Sequence, residues 1–114
     1  MGECIFCRIA GGDLPADVVY FDDEIVAFHD RSPRAPVHIL VIPRRHIDSL
    51  GAAAVSDRPL LGRLLQVAAE VAHAAGIGAS GFRVVTNTGA GAGQSVAHLH
   101  LHVLGGRQLG WPPG

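Results

Sequence analysis

This chain has no surplus of either charge: nine Lys and Arg stand against ten Asp and Glu, a formal charge of −1 over 114 residues. A sequence-blind nucleic-acid binder needs a basic field to displace counterions, so that class is set aside. Cysteine is scarce too. Cys4 and Cys7 cannot build the bridged framework of a small secreted domain, and a disulfide between them would close only a tiny loop, so a reducing, cytoplasmic setting is expected. No apolar run reaches the ~20 residues of a membrane span, and Met1-Gly2-Glu3-Cys4 lacks the basic and then apolar stretches of an export signal. A soluble protein with no membrane partner is expected. Charged residues make up only 17% against 48% apolar, with mean hydropathy +0.30, which excludes a disordered chain and leaves apolar surface for a partner to cover. Repeats and charge blocks are absent, and the length suits a single domain, 1–114.

What is present reads as an α+β pattern. Cys4–Ile9 is a short apolar helical turn closed by Gly11-Gly12, with Pro15 blocking continuation. Val18–Phe21 and Ile25–Phe28 form a hairpin around Asp22-Asp23, and Val37–Ile42 is a buried strand stopped by Pro43. A long helix runs from a Ser56 cap, through Pro59 in its first turn, to a Gly76 stop. Its stripe Arg63, Gln66, Glu70, His73 faces water, leaving Leu60, Leu61, Leu64, Leu65, Val67 and Val71 to pack. Strands over Phe82–Asn87 and Leu99–Leu104 flank a glycine-rich loop, Thr88–Ser95. Without βαβ alternation, a five-stranded antiparallel sheet with one long helix and a short N-terminal helix is expected. Trp111-Pro112-Pro113-Gly114 can be neither helix nor central strand, and the chain's only tryptophan there suits docking on a neighbouring surface better than fraying.

The reactive residues concentrate late in the chain. His98, His100 and His102 alternate with Leu99, Leu101 and Val103, so the period of two puts three imidazoles on one face of a strand. Neighbours on that face lie about 6.6 Å apart and the outer pair about 13 Å, too far for all three to share one ion comfortably. No Asp or Glu stands nearby to act as base for a metal-bound water. A hydrogen-bonded histidine face without chemistry is the bland alternative. The Gly89–Ser95 loop feeds into this strand with free backbone N–H groups, a hydroxyl and an amide, chemistry that can cradle a phosphate, although no Lys-Ser/Thr follows as in a Walker loop.

Gln94-Ser95-Val96-Ala97-His98-Leu99-His100-Leu101-His102-Val103-Leu104 resembles the histidine-triad signature. Cys4-Ile5-Phe6-Cys7, Ala27-Phe28-His29-Asp30, Ser32-Pro33, Ala35-Pro36, His38, Leu40–Pro43, His46-Ile47, Asn87, Gly105–Gln108 and Trp111–Gly114 are similar to the Hint branch of that family. The resemblance implies a homodimer that extends the sheet, with the Trp111 tail near the partner's site, and a hydrolase of purine nucleoside phosphoramidates such as adenosine 5′-monophosphoramidate and AMP-lysine. His102 stands where the nucleotidyltransferase branch usually has Gln, which favours hydrolysis over transfer.

Carried over by position, His100 would be the nucleophile that takes up the nucleotidyl group, its other nitrogen held by a backbone carbonyl or by His38. His102 and Ser95 would contact the phosphate and leaving nitrogen. Asp30 would bind the ribose, with Arg31 beside it, and Asn87, Gly93 and Gln94 would complete nucleotide recognition. His29 would alternate away from Asp30 and be structural. No cofactor is required for this chemistry. Cys4 and Cys7 with His46 and His98 make a Cys2His2 set that the resemblance implies is a structural zinc site; two packing cysteines are the alternative. A dinucleoside polyphosphate hydrolase and a nucleotide-responsive interaction module are the competing functions.

Overall fold

The computed structural model describes residues 4–114. Cys4 sits at the N-cap of helix α1 (Ile5–Ala10), its Sγ accepting the Cys7 N–H at 3.3 Å. Strands β1 (Val18–Phe21) and β2 (Ile25–His29) are joined by a turn that Asp22 organises. One of its oxygens accepts the N–H groups of Glu24 and Ile25, each at 2.8 Å, the local bond that makes Asp a turn residue. Strand β3 (Val37–Pro43), helix α2 (Arg58–Ala74), β4 (Phe82–Val85) and β5 (Leu101–Gly105) follow. The sheet is antiparallel throughout, in the order β1-β2-β3-β5-β4.

Register divides the sheet into two faces. Ile25, Ala27, Ile39, Val41, Leu101 and Val103 face α2, whose Leu60, Leu64, Val67, Ala68, Val71 and Ala72 close the larger core. On the other face Val26, Phe28, Leu40 and Ile42 pack against Phe6 and Ala10 of α1. Phe28 pairs with Leu40, and Leu40 with His102, so His102 emerges on the α1 face.

Of the boundaries that differ from the sequence pattern, three have a specific local cause. β5 begins at Leu101, not Leu99, because the Leu99 N–H leaves the ladder to bond the Ile47 carbonyl. β4 ends at Val85, since the Thr86 hydroxyl donates to the His100 carbonyl at 2.8 Å where a ladder bond would continue. Ser56 lies in a 3-10 turn, and Asp57 takes the cap position of α2; its carboxylate is committed to the Ala54 N–H and the Arg45 guanidinium. Leu65 departs from expectation as well, standing beside the buried stripe and 57% exposed, while His73 is exposed as expected. Beyond β5, Arg83 of the edge strand β4 donates to the Gly110 carbonyl and lies 5.8 Å from the Trp111 ring, holding the tail while leaving Trp111 exposed. Among the described residues no helix is long and apolar enough to cross a membrane.

Candidate active site

The alternating histidines do share a face, although only His102 belongs to β5; His98 and His100 precede it in an irregular segment. Phe6 lies edge-on to both, its ring centroid 5.9 Å from His98 and 5.1 Å from His100. Each imidazole has a different occupation, fixed by its partners.

His100 is buried, and its Nδ1–H donates to the His98 carbonyl at 2.7 Å. That bond assigns the proton to Nδ1 and leaves a lone pair on Nε2. No buried side-chain nitrogen or oxygen among the described residues lacks a partner, so the unpartnered Nε2 opens on the cavity that His100 lines. Of the two acceptors the sequence allowed, the backbone carbonyl holds the ring.

His38 serves His102 instead. The Arg34 N–H donates to His38 Nδ1 at 3.0 Å, so neutral His38 carries its proton on Nε2, 2.9 Å from His102 Nδ1. His102 Nδ1 is thereby an acceptor and its own proton sits on Nε2. Burial pushes His102 down to about 4, with the neighbouring His100 and His38 adding to the shift and Asp30 opposing it. Burial likewise holds His38 below the ordinary imidazole range, against the pull of Asp30. His38 and His102 are therefore neutral near pH 7, and His102 presents an N–H donor beside the His100 lone pair, the two ring centroids 5.0 Å apart.

These rings form the floor of a cavity of about 440 Å³, a size suited to a small-molecule ligand. Ile5, Phe6 and Ile9 of α1, with Leu14, Pro15 and Ala16, make an apolar wall facing Phe28 and Leu40; Asp30, Arg31 and Ser95 stand at its rim. Asp30 accepts the Ser32 N–H at 2.7 Å through one oxygen and lies 3.4 Å from His38 Nε2 through the other. The two oxygens have further acceptor capacity for a ligand's hydroxyls. His29 also lines the cavity, contrary to the alternation argument: β2 ends at His29, so strand periodicity no longer governs Asp30.

Asn87, Gly93 and Gln94 are not on the cavity wall; they build the loop that presents Ser95. Asn87 Nδ2 donates to the Ala92 carbonyl, Gln94 Oε1 accepts the Gly89 N–H, and Gln94 Nε2 donates to the carbonyls of Asp48 and Val96. Gly89 and Gly93 adopt φ of 83° and 81°, a region that disfavours a side chain.

A second cluster lies behind the triad. The ligand atoms of Cys4, Cys7, His46 and His98 all fall within 4.8 Å of one another. His98 Nδ1 is 3.3 Å from Cys4 Sγ and 3.5 Å from Cys7 Sγ, and His46 Nδ1 is 3.2 Å from Cys7 Sγ. A tetrahedral zinc with ordinary bond lengths puts sulfur and nitrogen about 3.6 Å apart, so the donor set fits. The outer nitrogens fit as well: His98 Nε2–H donates to the Pro43 carbonyl at 2.8 Å and His46 Nε2–H to Asp48 at 2.7 Å, which turns both Nδ1 lone pairs inward.

The HIT domain family model matches residues 12–109. This chain belongs to the HIT family. An uncharacterised HIT-like protein of Synechocystis is 52% identical over 112 residues, covering 98% of this chain and 97% of that protein. Among solved structures, a HIT family hydrolase from Legionella pneumophila aligns with a TM-score of 0.96 at 47% identity, covering 98% of this chain and all of that one. A histidine triad nucleotide-binding protein from Candida albicans aligns with a TM-score of 0.83 at 28% identity, over 96% and 83% of the two chains. The matched HIT domain holds every candidate catalytic and nucleotide-binding residue, while Cys4, Cys7 and the Trp111 tail lie outside it. The apolar wall from α1 and residues 14–16 escaped sequence reasoning, because Ile5, Ile9 and Leu14 carry no chemistry that distinguishes a cavity wall from a core.

Proposed function

We propose that this HIT protein hydrolyses the P–N bond of purine nucleoside 5′-phosphoramidates, such as adenosine 5′-monophosphoramidate and AMP-lysine, through a nucleotidyl-His100 intermediate. The observation that carries the reading is the pairing of His100, held with its Nε2 lone pair toward the cavity, with His102, held with Nε2 protonated. The hydrolase from Legionella pneumophila and the nucleotide-binding protein from Candida albicans support the reaction type and ligand class.

In this reading the base lies in the apolar slot between α1 and Phe28, the ribose hydroxyls meet Asp30 beside Arg31, and the phosphate meets Ser95 and His102. Asn87, Gly93 and Gln94 hold the loop over the phosphate and ribose. His100 Nε2 attacks phosphorus as the P–N bond breaks, and the leaving nitrogen takes a proton from the Ser95 hydroxyl or His102 Nε2–H, without which it would depart as an amide anion. Water then attacks the phosphorus, its proton passing to the group that protonated the amine, so that AMP leaves and His100 and the proton donor are both restored. The reaction needs no cofactor. Cys4, Cys7, His46 and His98 would hold zinc as a structural ion, making His98 a ligand and not a base.

The protein acts as a homodimer whose sheet continues across the open edge at β4, bringing the Arg83-held Trp111 tail toward the partner's cavity. The deciding experiment is kcat/KM for amine release from an AMP phosphoramidate, with chelator present and His100→Ala alongside. Turnover that survives the chelator, lowered no more than severalfold, and disappears in the folded variant is expected. Faster cleavage of diadenosine polyphosphates than of phosphoramidates would move the assignment to that substrate class, and tight AMP binding without turnover of any substrate would make the protein a binding module.

A further inference from the structure

Helix α1 belongs to two sites at once. It has six residues, too few to be stable by itself, so its position depends on what holds it. At its C-terminal end Arg44 donates to the Ala10 carbonyl at 2.7 Å. At its N-terminal end the anchors are Cys4 and Cys7, the two thiols of the Cys2His2 cluster, and between the ends Phe6 is buried. The same turn supplies Ile5, Phe6 and Ile9 to the wall of the nucleotide cavity. A second connection runs through the backbone. His98 offers Nδ1 to the thiols, while its carbonyl holds Nδ1 of the nucleophile His100, and Phe6 lies against both rings.

We infer that Cys4, Cys7, His46 and His98 are positioning residues for the nucleotide site, so that a zinc ion bound by them and a nucleotide in the cavity strengthen each other's binding. The inference rests on the cavity being the nucleotide site proposed above. It adds that the ion has a task beyond global stability: it fixes one wall of the cavity and the carbonyl that orients His100. Because the coupling is a free energy shared by two sites, it must be reciprocal. Zinc tightens AMP binding by some factor, and AMP tightens zinc binding by the same factor. An ion that served only global stability would change neither affinity in protein that is already folded.

The test uses the full chain and measures AMP affinity by calorimetry, zinc-loaded and zinc-stripped, then zinc affinity by competition with a chromophoric chelator, with and without AMP. The expected result is AMP binding at least about fivefold weaker in the stripped protein, with an equal factor in the reciprocal experiment. Should the stripped protein lose its circular dichroism spectrum, Asp48→Asn replaces it. This variant keeps all four ligands but weakens the orienting bond to His46, and its AMP affinity should follow zinc occupancy and reach the parent value at saturation. Equal AMP affinity in both states, or zinc affinity indifferent to AMP, overturns the coupling while leaving the nucleotide site intact. Failure of AMP to bind even the zinc-loaded protein overturns both readings.

Discussion

Replacing His102 with Gln should remove most of one specific loss of stability between pH 7 and pH 5. In the folded chain His102 is pushed down to about 4, mainly by its half-burial, whereas an imidazole in the unfolded chain titrates near 6.5. Between those values the unfolded state binds the proton that the folded state refuses. Stability is therefore fully present above about pH 6.5 and falls as pH drops toward 4. At about 1.4 kcal/mol per pKa unit, the whole penalty is about 3 kcal/mol, of which about 2 kcal/mol has accumulated by pH 5. Gln keeps an acceptor for His38 Nε2–H but does not titrate. The assay is urea unfolding of parent and variant at pH 7 and pH 5, both with the same zinc loading so that His46 and His98 cancel. The parent's extra loss should appear as a midpoint shift larger by about 1 M, for a urea slope of about 1.5 kcal/mol/M. Equal pH dependence in the two proteins would refute the neutral, half-buried His102 on which the donor assignment rests.

Four other outcomes follow from particular contacts. Ser95→Ala should slow cleavage of phosphoramidates with poorly acidic amines about a hundredfold and affect good leaving groups far less, a difference read from kcat/KM across a leaving-group series. Gly105→Ala places a methyl 2.6 Å from Ile77 Cδ1 and 3.2 Å from the Gly81 carbonyl, and should cost about 1–3 kcal/mol in urea unfolding. Arg63→Ala loses partly exposed ion pairs with Asp22 and Glu24; it should lower stability by about 1 kcal/mol and leave kcat/KM unchanged. Stripping zinc should lower the melting temperature, and excess zinc should restore it.

The sequence carried the fold through periodicity. The continuous apolar run Val37–Ile42 survives as a strand buried on both faces, and the alternation in the triad and the three-four spacing of α2 survive because each has a core-facing side to satisfy. Failures fall where a single long-range bond overrides local pattern. The Ile47 carbonyl takes the Leu99 N–H and the Thr86 hydroxyl takes the His100 carbonyl, shortening two strands in a way no window of sequence contains. The triad spacing located the reactive face but not its internal division of labour, since the tautomers of His100 and His102 depend on a carbonyl and on His38, 64 residues away from His102. His29 was misplaced because alternation holds only inside a strand and β2 ends there. The resemblance points Asn87 and Gln94 toward nucleotide recognition, but only the fold shows that their amides also shape the loop that carries Ser95.

The central claim is the nucleophile, and the most direct measurement is a rapid-quench single turnover of an AMP phosphoramidate followed by mass analysis of the intact protein and its peptides. A transient adduct of one AMP on His100 should form as the amine is released, decay to free AMP, and be missing from His100→Ala. Amine release at the full rate with no adduct, or by the folded His100→Ala protein, would contradict that claim.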